Sequence, residues 1–542
     1  MPALKESPGS RHRAMFQGPD WRFIQLSSLV LNGLVRDWFV TPSGHPVVHS
    51  CPGARGLRRL PIAKCHAASN SFAPDYNQLR STASVGWNPV KKRSFDSNMS
   101  SRNSTHGVSR RDMLRLSGLG VVGAALAACV APDGASSGED GAAQEPVDII
   151  ATTQMPVNTF DNSIERSLEQ LPNIALEVNA NGWGGGGWDG YSDTLLTRIA
   201  GGEQIDVIMI AIEGLGLLAA KNVLVPLDGF IQADPEAEEI LMNDVHVTLR
   251  EMLQVDGQQM EYPFSWNNMV MYYNTAVFEE VGLEPPANDW NWDDFLEACL
   301  AVARVTGGAD DRFAYSFWGG GMFGMAAWYF NNDTSPLSED WLESNVLDPK
   351  VLETLQFLAD LILVHKVAPN PEGWDEWAQF HAGNLVMRTC GRWCIGGSLE
   401  ADFTTYNIQY QPHQAGPIRT VAGTDGWGIS TSSENPDEAW EVVKLLSGTD
   451  ASLDMVQLGG NIPALRSVAE MPLFADYGPA NTALFYETLD FAATVPSPPN
   501  FNAVEPILNR NYATIWNGEK SVEEAMQAAH DELVPEMAKL QG

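Results

Sequence analysis

From Val147 onward, short apolar runs alternate with amphipathic helical stretches, and this alternation restricts the chain more than any other feature. VDIIAT and IALEVNAN read as strands, SDTLLTRIAGG as a helix closed by glycines, DVIMIAI as a strand and EGLGLLAAKN as a helix. Strands taking turns with helices imply a parallel sheet wrapped by helices, so the expected fold class is α/β. GQQMEYPFSWNNMVMYYNTAVFEEVGLEPP reads as a β-rich passage that ends in a helix and a double-proline stop. NWDDFLEACLAVARVT follows as a helix with Asn291 as its cap. Helices are predicted over DPKVLETLQFLADLILVHK and GWDEWAQFHAGN, and strands over LVMRTCG and NIQYQP. In GTDGWGISTSSENPDEAWEVVKLLSG a glycine-flanked strand leads into a helix starting near Pro436, and SVEEAMQAAHDELVPEMAKL is a last amphipathic helix. The chain shows no internal repeat.

At 542 residues, 44% of them apolar, the chain is long enough for two or three domains with sizeable cores. Its charge is divided sharply. Residues 1–128 hold 17 Lys and Arg against 6 Asp and Glu, whereas residues 129–542 hold 16 against 62, near −46. Such a surface repels nucleic acid and anionic membranes and suits neutral or cationic partners.

The boundary carries its own signature. SRRDMLRLSGLGVVGAALAAC, residues 109–129, has twin arginines, a short apolar run rich in Gly and Ala, and small residues leading to a cysteine. This reads as an export signal. The run is shorter than the ~20 residues a membrane span needs. Arg110 and Arg111 resemble the twin-arginine signal, and Leu126-Ala127-Ala128-Cys129 resembles a bacterial lipobox, so Cys129 is expected to carry a lipid anchor. Residues 129–146 read as a flexible tether. Residues 99–128 are then a signal peptide starting at Met99. Residues 1–98, without sustained periodicity, read as an upstream extension or a cleaved pre-sequence.

Cys299, Cys390 and Cys394 remain in the body, an odd number that argues against a disulfide framework. Cys390 and Cys394 stand at a spacing that permits pairing or metal binding. With no His or carboxylate cluster beside them, buried free thiols are expected and no metal or cofactor is.

NANGWGGGGWDGY, residues 179–191, places four glycines in a row between Trp183 and Trp188. Glycine lets the backbone approach a ligand closely, at an entropic cost. A phosphate cradle, a sugar platform and a slack linker all satisfy the pattern.

Four further passages, in order and after a lipobox, carry a resemblance. YPFSWNNMVMYYNTAVFEEVGLEPP followed by W-x-W-D-D-F, then FHAGNLVMRTCGRW, then GWGISTSSENPDEAWEVVKLLSG, then GGNIPALRSV, resemble the extracellular solute-binding proteins of bacterial carbohydrate ABC importers, the group that includes maltose-binding protein. The resemblance covers residues 147–542. It implies the two-lobed type II periplasmic-binding-protein fold, with lobe one at 147–265 and 415–475, lobe two at 266–414 and 476–542, and the ligand cleft between them. It further implies a carbohydrate ligand, membrane permease partners and a monomer, and no enzymatic activity.

Trp183, Trp188, Trp266, Trp318, Trp393 and Trp427 sit beside glycine or at predicted strand ends, outside the apolar runs, and about half are expected to touch ligand. Sugars present a flat C–H face and a rim of hydroxyls, which aromatic faces with amide and carboxylate partners complement. By the resemblance Trp393 is the foremost stacking residue. Trp266 and Asn267 fall at the crossover into lobe two, Trp427 falls after the return to lobe one, and Asn461 and Arg466 fall in the returning loop. Glu213 is expected at the cleft too. The family usually has proline where this chain has Arg392, which leaves a charge expected to meet a hydroxyl or face solvent.

The family's loop after the second strand of lobe one contributes to the cleft. The glycine run therefore reads as freeing Trp183 and Trp188 to lie across a sugar, with Asp189 accepting from a hydroxyl. Gly185, Gly187 and Gly190 also satisfy G-x-G-x-x-G, yet Trp188 would have to fit inside a phosphate turn, and an exported protein meets little NAD. A secreted glycoside hydrolase is the rival function, needing two paired carboxylates that no motif singles out. A binding protein for another solute, such as a polyamine, is a third reading.

Overall fold

The computed structural model describes residues 29–31, 34–36, 39–40, 46–47, 145–181, 187–306 and 312–541. Contacts divide the chain after Pro132. In the first unit the described residues form two short antiparallel pairings, Leu29–Leu31 with Leu34–Arg36 and Phe39–Val40 with Pro46–Val47. The expected signal segment and Cys129 lie outside the described residues.

In the second unit β1 (Val147–Thr153) pairs in parallel with β2 (Ile174–Ala180) and β3 (Val207–Ala211). The helices α1 (Asp161–Gln170) and α2 (Trp188–Ala200) connect them; α2 follows the expected pattern, whereas α1 is not among the predicted helices. α3 (Ile212–Ala220) leads to the short β4 (Leu224–Val225). The chain then enters β5 (Tyr262–Asn268) and, after Met269 alone, β6 (Val270–Asn274). These two consecutive strands belong to different sheets, so the first crossing between sheets occurs at Met269.

α4 (Thr275–Val281) starts on the Asn274 side chain, which accepts from the Val277 amide, and stops at Gly282 with φ +72°. That left-handed conformation suits glycine. α5 (Trp292–Thr306) is capped as expected, with Asn291 Oδ1 accepting from the Asp293 and Asp294 amides. β7 (Phe313–Ser316), α6 (Met322–Phe330), α7 (Pro349–Leu363), β8 (Leu385–Cys390), α8 (Cys394–Glu400) and β9 (Tyr406–Gln409) follow, with a short helix over Glu376–His381 before β8. The second sheet has the order β7-β8-β6-β9.

The return crossing runs from β9 into β10 (Thr420–Ser430), an eleven-residue strand buried along its whole length. α9 (Pro436–Ser447), α10 (Thr449–Gln457), β11 (Ile462–Pro463), β12 (Ala492–Thr494), α11 (Phe501–Trp516) and α12 (Val522–Ala538) follow. The first sheet has the order β11-β5-β10-β3-β1-β2, with β4 and β12 also paired to β10. The purely parallel sheet implied by the strand and helix alternation is not found: β1 to β3 pair in parallel, as do β10 with β12 and β7 with β8, but both sheets are mixed. β10 comes back from the second sheet, enters the first from its opposite end, and runs antiparallel to β3 and β5. Asn267 and Asn268 still pair with β10 in the first sheet, and β12 does likewise within residues 476–542.

Two corrections concern cysteine and arginine. Cys390 and Cys394 form a disulfide, with Cα atoms 6.3 Å apart, and only Cys299 is a buried free thiol among the described residues. β8 ends at Cys390 and α8 begins at Cys394, and the tight turn between them brings the two sulfurs together. Arg392, inside that turn, is fully buried and meets neither hydroxyl nor solvent. It donates to the carbonyls of Gly460 (2.6 Å), Asn461 (3.2 Å), Tyr477 (3.3 Å) and Val456 (3.4 Å), and lies over the Phe474 ring.

Candidate functional site

A cleft of about 740 Å³ opens between the two sheets. Its aromatic wall comes from the second sheet's side. Trp393 follows β8 and lies 5.5 Å from Trp318 and 5.9 Å from Phe323, centroid to centroid. Trp318 is held by its indole N–H, which donates to Glu376 at 2.9 Å, and Glu376 in turn pairs with the buried Arg388. The turn beneath Trp393 admits only glycine at 391, because a Cβ there would lie 1.9 Å from Cζ3 of the ring.

The opposite wall is polar. β3 ends at Ala211, the register partner of Asp425 on β10, so Glu213 in the first turn of α3 comes within electrostatic reach of Asp425. Asp425 accepts from Ser265 Oγ at 2.6 Å and from Asn461 Nδ2 at 3.2 Å. Asn461 also donates to Ser265, which fixes its amide at the cleft. Asn267 lines the same wall.

α11 supplies the third part. Phe501, Glu505 and Asn509 repeat every four residues, fall on one face of the helix and line the cleft. Glu505 Oε1 accepts from the Met322 amide at 2.7 Å and Asn509 Oδ1 from the Gly321 amide at 2.6 Å, which docks the start of α6 onto α11. A carboxylate at a helix N-terminus is favourably placed.

Burial, helped by the Glu505 and Asp425 charges, pushes the Glu213 carboxyl up to about 8. Burial likewise lifts Asp425 to about 7, against the lowering effect of its Ser265 and Asn461 bonds, and Glu505 to about 7. Glu213 Oε2 has no hydrogen-bond partner.

Of the residues expected at the site, the structure brings Trp188, Glu213, Asn267, Trp318, Trp393 and Asn461 to this cleft. Asp189 is adjacent, its Oδ1 accepting from the Gly187 amide at 2.8 Å. Trp183 lies outside the described residues. Three expectations are corrected. Trp266 is fully buried against Tyr486, because neighbouring strand residues face opposite ways and Asn267 takes the cleft side. Trp427 is fully buried against Phe160 and Phe264, farther along β10 than the cleft. Arg466 is exposed, donates to the Asn243 carbonyl, and does not line the cleft.

Sequence reasoning missed Asp425, Phe323, Phe501, Glu505 and Asn509. The polar pair Glu505 and Asn509, four apart in an otherwise apolar helix face, was the available signal for the last two. Among the described residues no group of three His, Cys, Asp or Glu is placed to hold a metal ion, and no helix is long and apolar enough to cross a membrane.

Two sheets joined by crossing strands, with a cleft lined from both, define a two-lobed binding protein of the type II periplasmic fold. The chain belongs to the bacterial extracellular solute-binding protein family, whose model matches residues 182–482. It is 24% identical over 347 residues to a Brucella abortus binding protein, covering 61% of this chain and 79% of that one. Among solved structures it resembles an ABC substrate-binding protein from Listeria monocytogenes in complex with cycloalternan. That likeness has a TM-score of 0.65 and 22% identity, and covers 73% of this chain and 99% of the other. It also resembles the Thermus thermophilus maltotriose-binding protein bound with maltotriose, at TM-score 0.59 and 19% identity, over 73% and 100% of the two chains.

Proposed function

We propose that this chain captures a sugar or oligosaccharide outside the cell and delivers it to the membrane subunits of an ABC importer. The observation that carries the reading is the facing of Trp318, Trp393 and Phe323 by the amides and carboxyls of Asn267, Asn461, Glu213 and Asp425 across one cleft. Aromatic faces match the C–H face of a pyranose, and the opposite wall matches its hydroxyl rim. Cycloalternan and maltotriose in the two similar structures support the same ligand class. Trp393 is the stacking platform, Trp318 and Trp188 flank it, and Asn267, Asn461 and Glu213 orient hydroxyls.

The protein works as a monomer, exported by the twin-arginine signal and held at the outer face of the cytoplasmic membrane by a lipid on Cys129. Titration of a panel of mono- and oligosaccharides by tryptophan fluorescence and calorimetry tests the ligand class. Saturable binding without release of reducing ends is expected, and turnover would favour a hydrolase. Cys129→Ala should shift the protein out of the membrane fraction in its native host, and unchanged fractionation would refute the anchor.

A further inference from the structure

Resting on the sugar-binding reading, we infer that the cleft selects an aminated sugar, whose ammonium sits against the carboxyls of Glu213, Asp425 and Glu505. The lining carries charge of one sign only. Four carboxylates, Glu213, Asp425, Glu505 and the exposed Glu400, face the cleft, and no Lys, Arg or His lines it among the described residues. Residues 182–186, which lie outside the description, are glycine and tryptophan and add no charge.

Three of these carboxyls are at least nine-tenths buried. A buried carboxylate is normally matched by a cation, because the low-dielectric interior penalises an isolated charge. Among the described residues the protein supplies none here. The two large buried cations are engaged elsewhere, Arg388 with Glu376 and Arg392 with backbone carbonyls. Among the described residues no Lys, Arg or His shifts Glu213, Asp425 or Glu505; instead the Glu505 and Asp425 charges raise the proton affinity of Glu213, and Asp189 raises that of Glu505.

Hydrogen bonding does not resolve the imbalance either. Asp425 and Glu505 have partners, but Glu213 Oε2, buried and lining the cleft, has none. Metal does not fit, since the acids are not grouped at ligand spacing. An acidic or phosphorylated sugar would bring like charge into the same wall and be rejected. A protonated amine supplies the missing counter-charge and a donor for Glu213, and the tryptophan faces across the cleft favour a cation as well. The Asn267 amide, the Asn461 Oδ1 and the Asn509 Nδ2 remain for hydroxyls, which a simple polyamine would leave unmatched.

The test is calorimetric titration of the full chain with matched pairs differing only in amine for hydroxyl at C2 of each ring. Glucosamine is compared with glucose, and the β-1,4 trimer of glucosamine with cellotriose. Spermidine and maltotriose are the controls. The aminated member should bind at least roughly tenfold more tightly, about 1.4 kcal/mol, and Glu213→Gln should cut that preference severalfold. Glu505→Gln is the second variant if Glu213→Gln fails to melt cooperatively. Equal or weaker binding of the aminated member, or binding of maltotriose with neither aminated sugar, overturns the inference and leaves the sugar reading standing. Spermidine binding with no sugar bound overturns both, and a preference unchanged in the folded carboxylate variants overturns the assignment of the ammonium to these residues.

Discussion

Adding one methyl group beneath Trp393 tests the platform without removing the ring. A Cβ on Gly391 would stand 1.9, 2.4 and 2.5 Å from Cζ3, Cε3 and Cη2 of Trp393. Carbon contacts relax near 3.5–4 Å, so the ring must move by about 1.5–2 Å. It cannot settle back, because Trp318 and Phe323 flank it at 5.5 and 5.9 Å. Nor does the turn yield freely, since the Gly391 carbonyl accepts from the Tyr272 hydroxyl at 2.7 Å and Arg392 anchors the next residue. Gly391→Ala should therefore cost about 1–3 kcal/mol of stability by overpacking. Losing the stacked face should weaken sugar binding by about 1–3 kcal/mol, roughly 10- to 100-fold. Trp393→Ala should match that loss of affinity while removing the clash, so adding Gly391→Ala to it should cost almost no further stability. Calorimetric titration beside thermal melting of the two single variants and the double variant reads both quantities. Native affinity in folded Gly391→Ala, or additive destabilisation in the double variant, would refute the reasoning.

Three further outcomes follow from the same geometry. Arg392→Met strips the Gly460 and Asn461 carbonyls of a charged donor and should cost about 3–5 kcal/mol. At about 2.1 cal/mol/K per residue over about 400 residues this is a drop of roughly 4–6 °C in melting temperature, and an unchanged Tm would show the bonds to be idle. Glu213, Asp425 and Glu505 hold protons up to about 8, 7 and 7 in the folded chain, whereas unfolded carboxyls release them near 4. The stabilisation from this difference is complete below about pH 4 and is lost as pH rises through 7 to 8. The ligand-free protein should accordingly melt lower at pH 8.5 than at pH 6, and Glu213→Gln should flatten that slope; an identical slope in the variant would refute the assignment. Replacing Cys390 and Cys394 by serine opens a five-residue loop, worth about 2 kcal/mol by chain entropy, and should weaken sugar binding as Trp393 loses its fixed base. Affinity equal to the native protein's would separate the disulfide from the site.

What could be read from the sequence was what local pattern determines. The strands at Val147–Thr153 and Val207–Ala211, the Asn291 cap and the helix from Pro436 all follow from periodicity and capping chemistry confined to a few residues. Trp393, Asn267, Asn461 and Glu213 were placed at the cleft side, which the structure brings together. Facing was not legible. Trp266 and Asn267 are adjacent, and which of them turns inward depends on distant partners, the strand pairings of β5 and the Tyr486 ring against Trp266. Arg392 was misread because its carbonyl partners lie 64 to 85 residues away, where no local motif points. Glu505 stayed hidden because its value to the site comes from meeting the start of α6, 183 residues earlier.

The five residues CGRWC explain how a cleft wall can be rigid without a regular element beneath it. Cys390 and Cys394 close the turn covalently, and Arg392 ties it through backbone carbonyls to the segment between α10 and β11, which pairs with the first sheet. The Gly396 amide adds a bond to the Gly459 carbonyl at 3.1 Å, in contact so close that Gly459, at φ +69°, would place a Cβ 2.5 Å from that same amide nitrogen. Trp393 is thus held from both sides of the cleft before any ligand arrives. A ring already fixed loses little conformational entropy on stacking, so more of its contact energy appears as affinity. Asn461 sits on the same tied segment, its amide held by Asp425 and Ser265 and its carbonyl by Arg392. The buried guanidinium therefore sets the distance between the aromatic platform and the polar wall, the dimension that decides which ring fits between them.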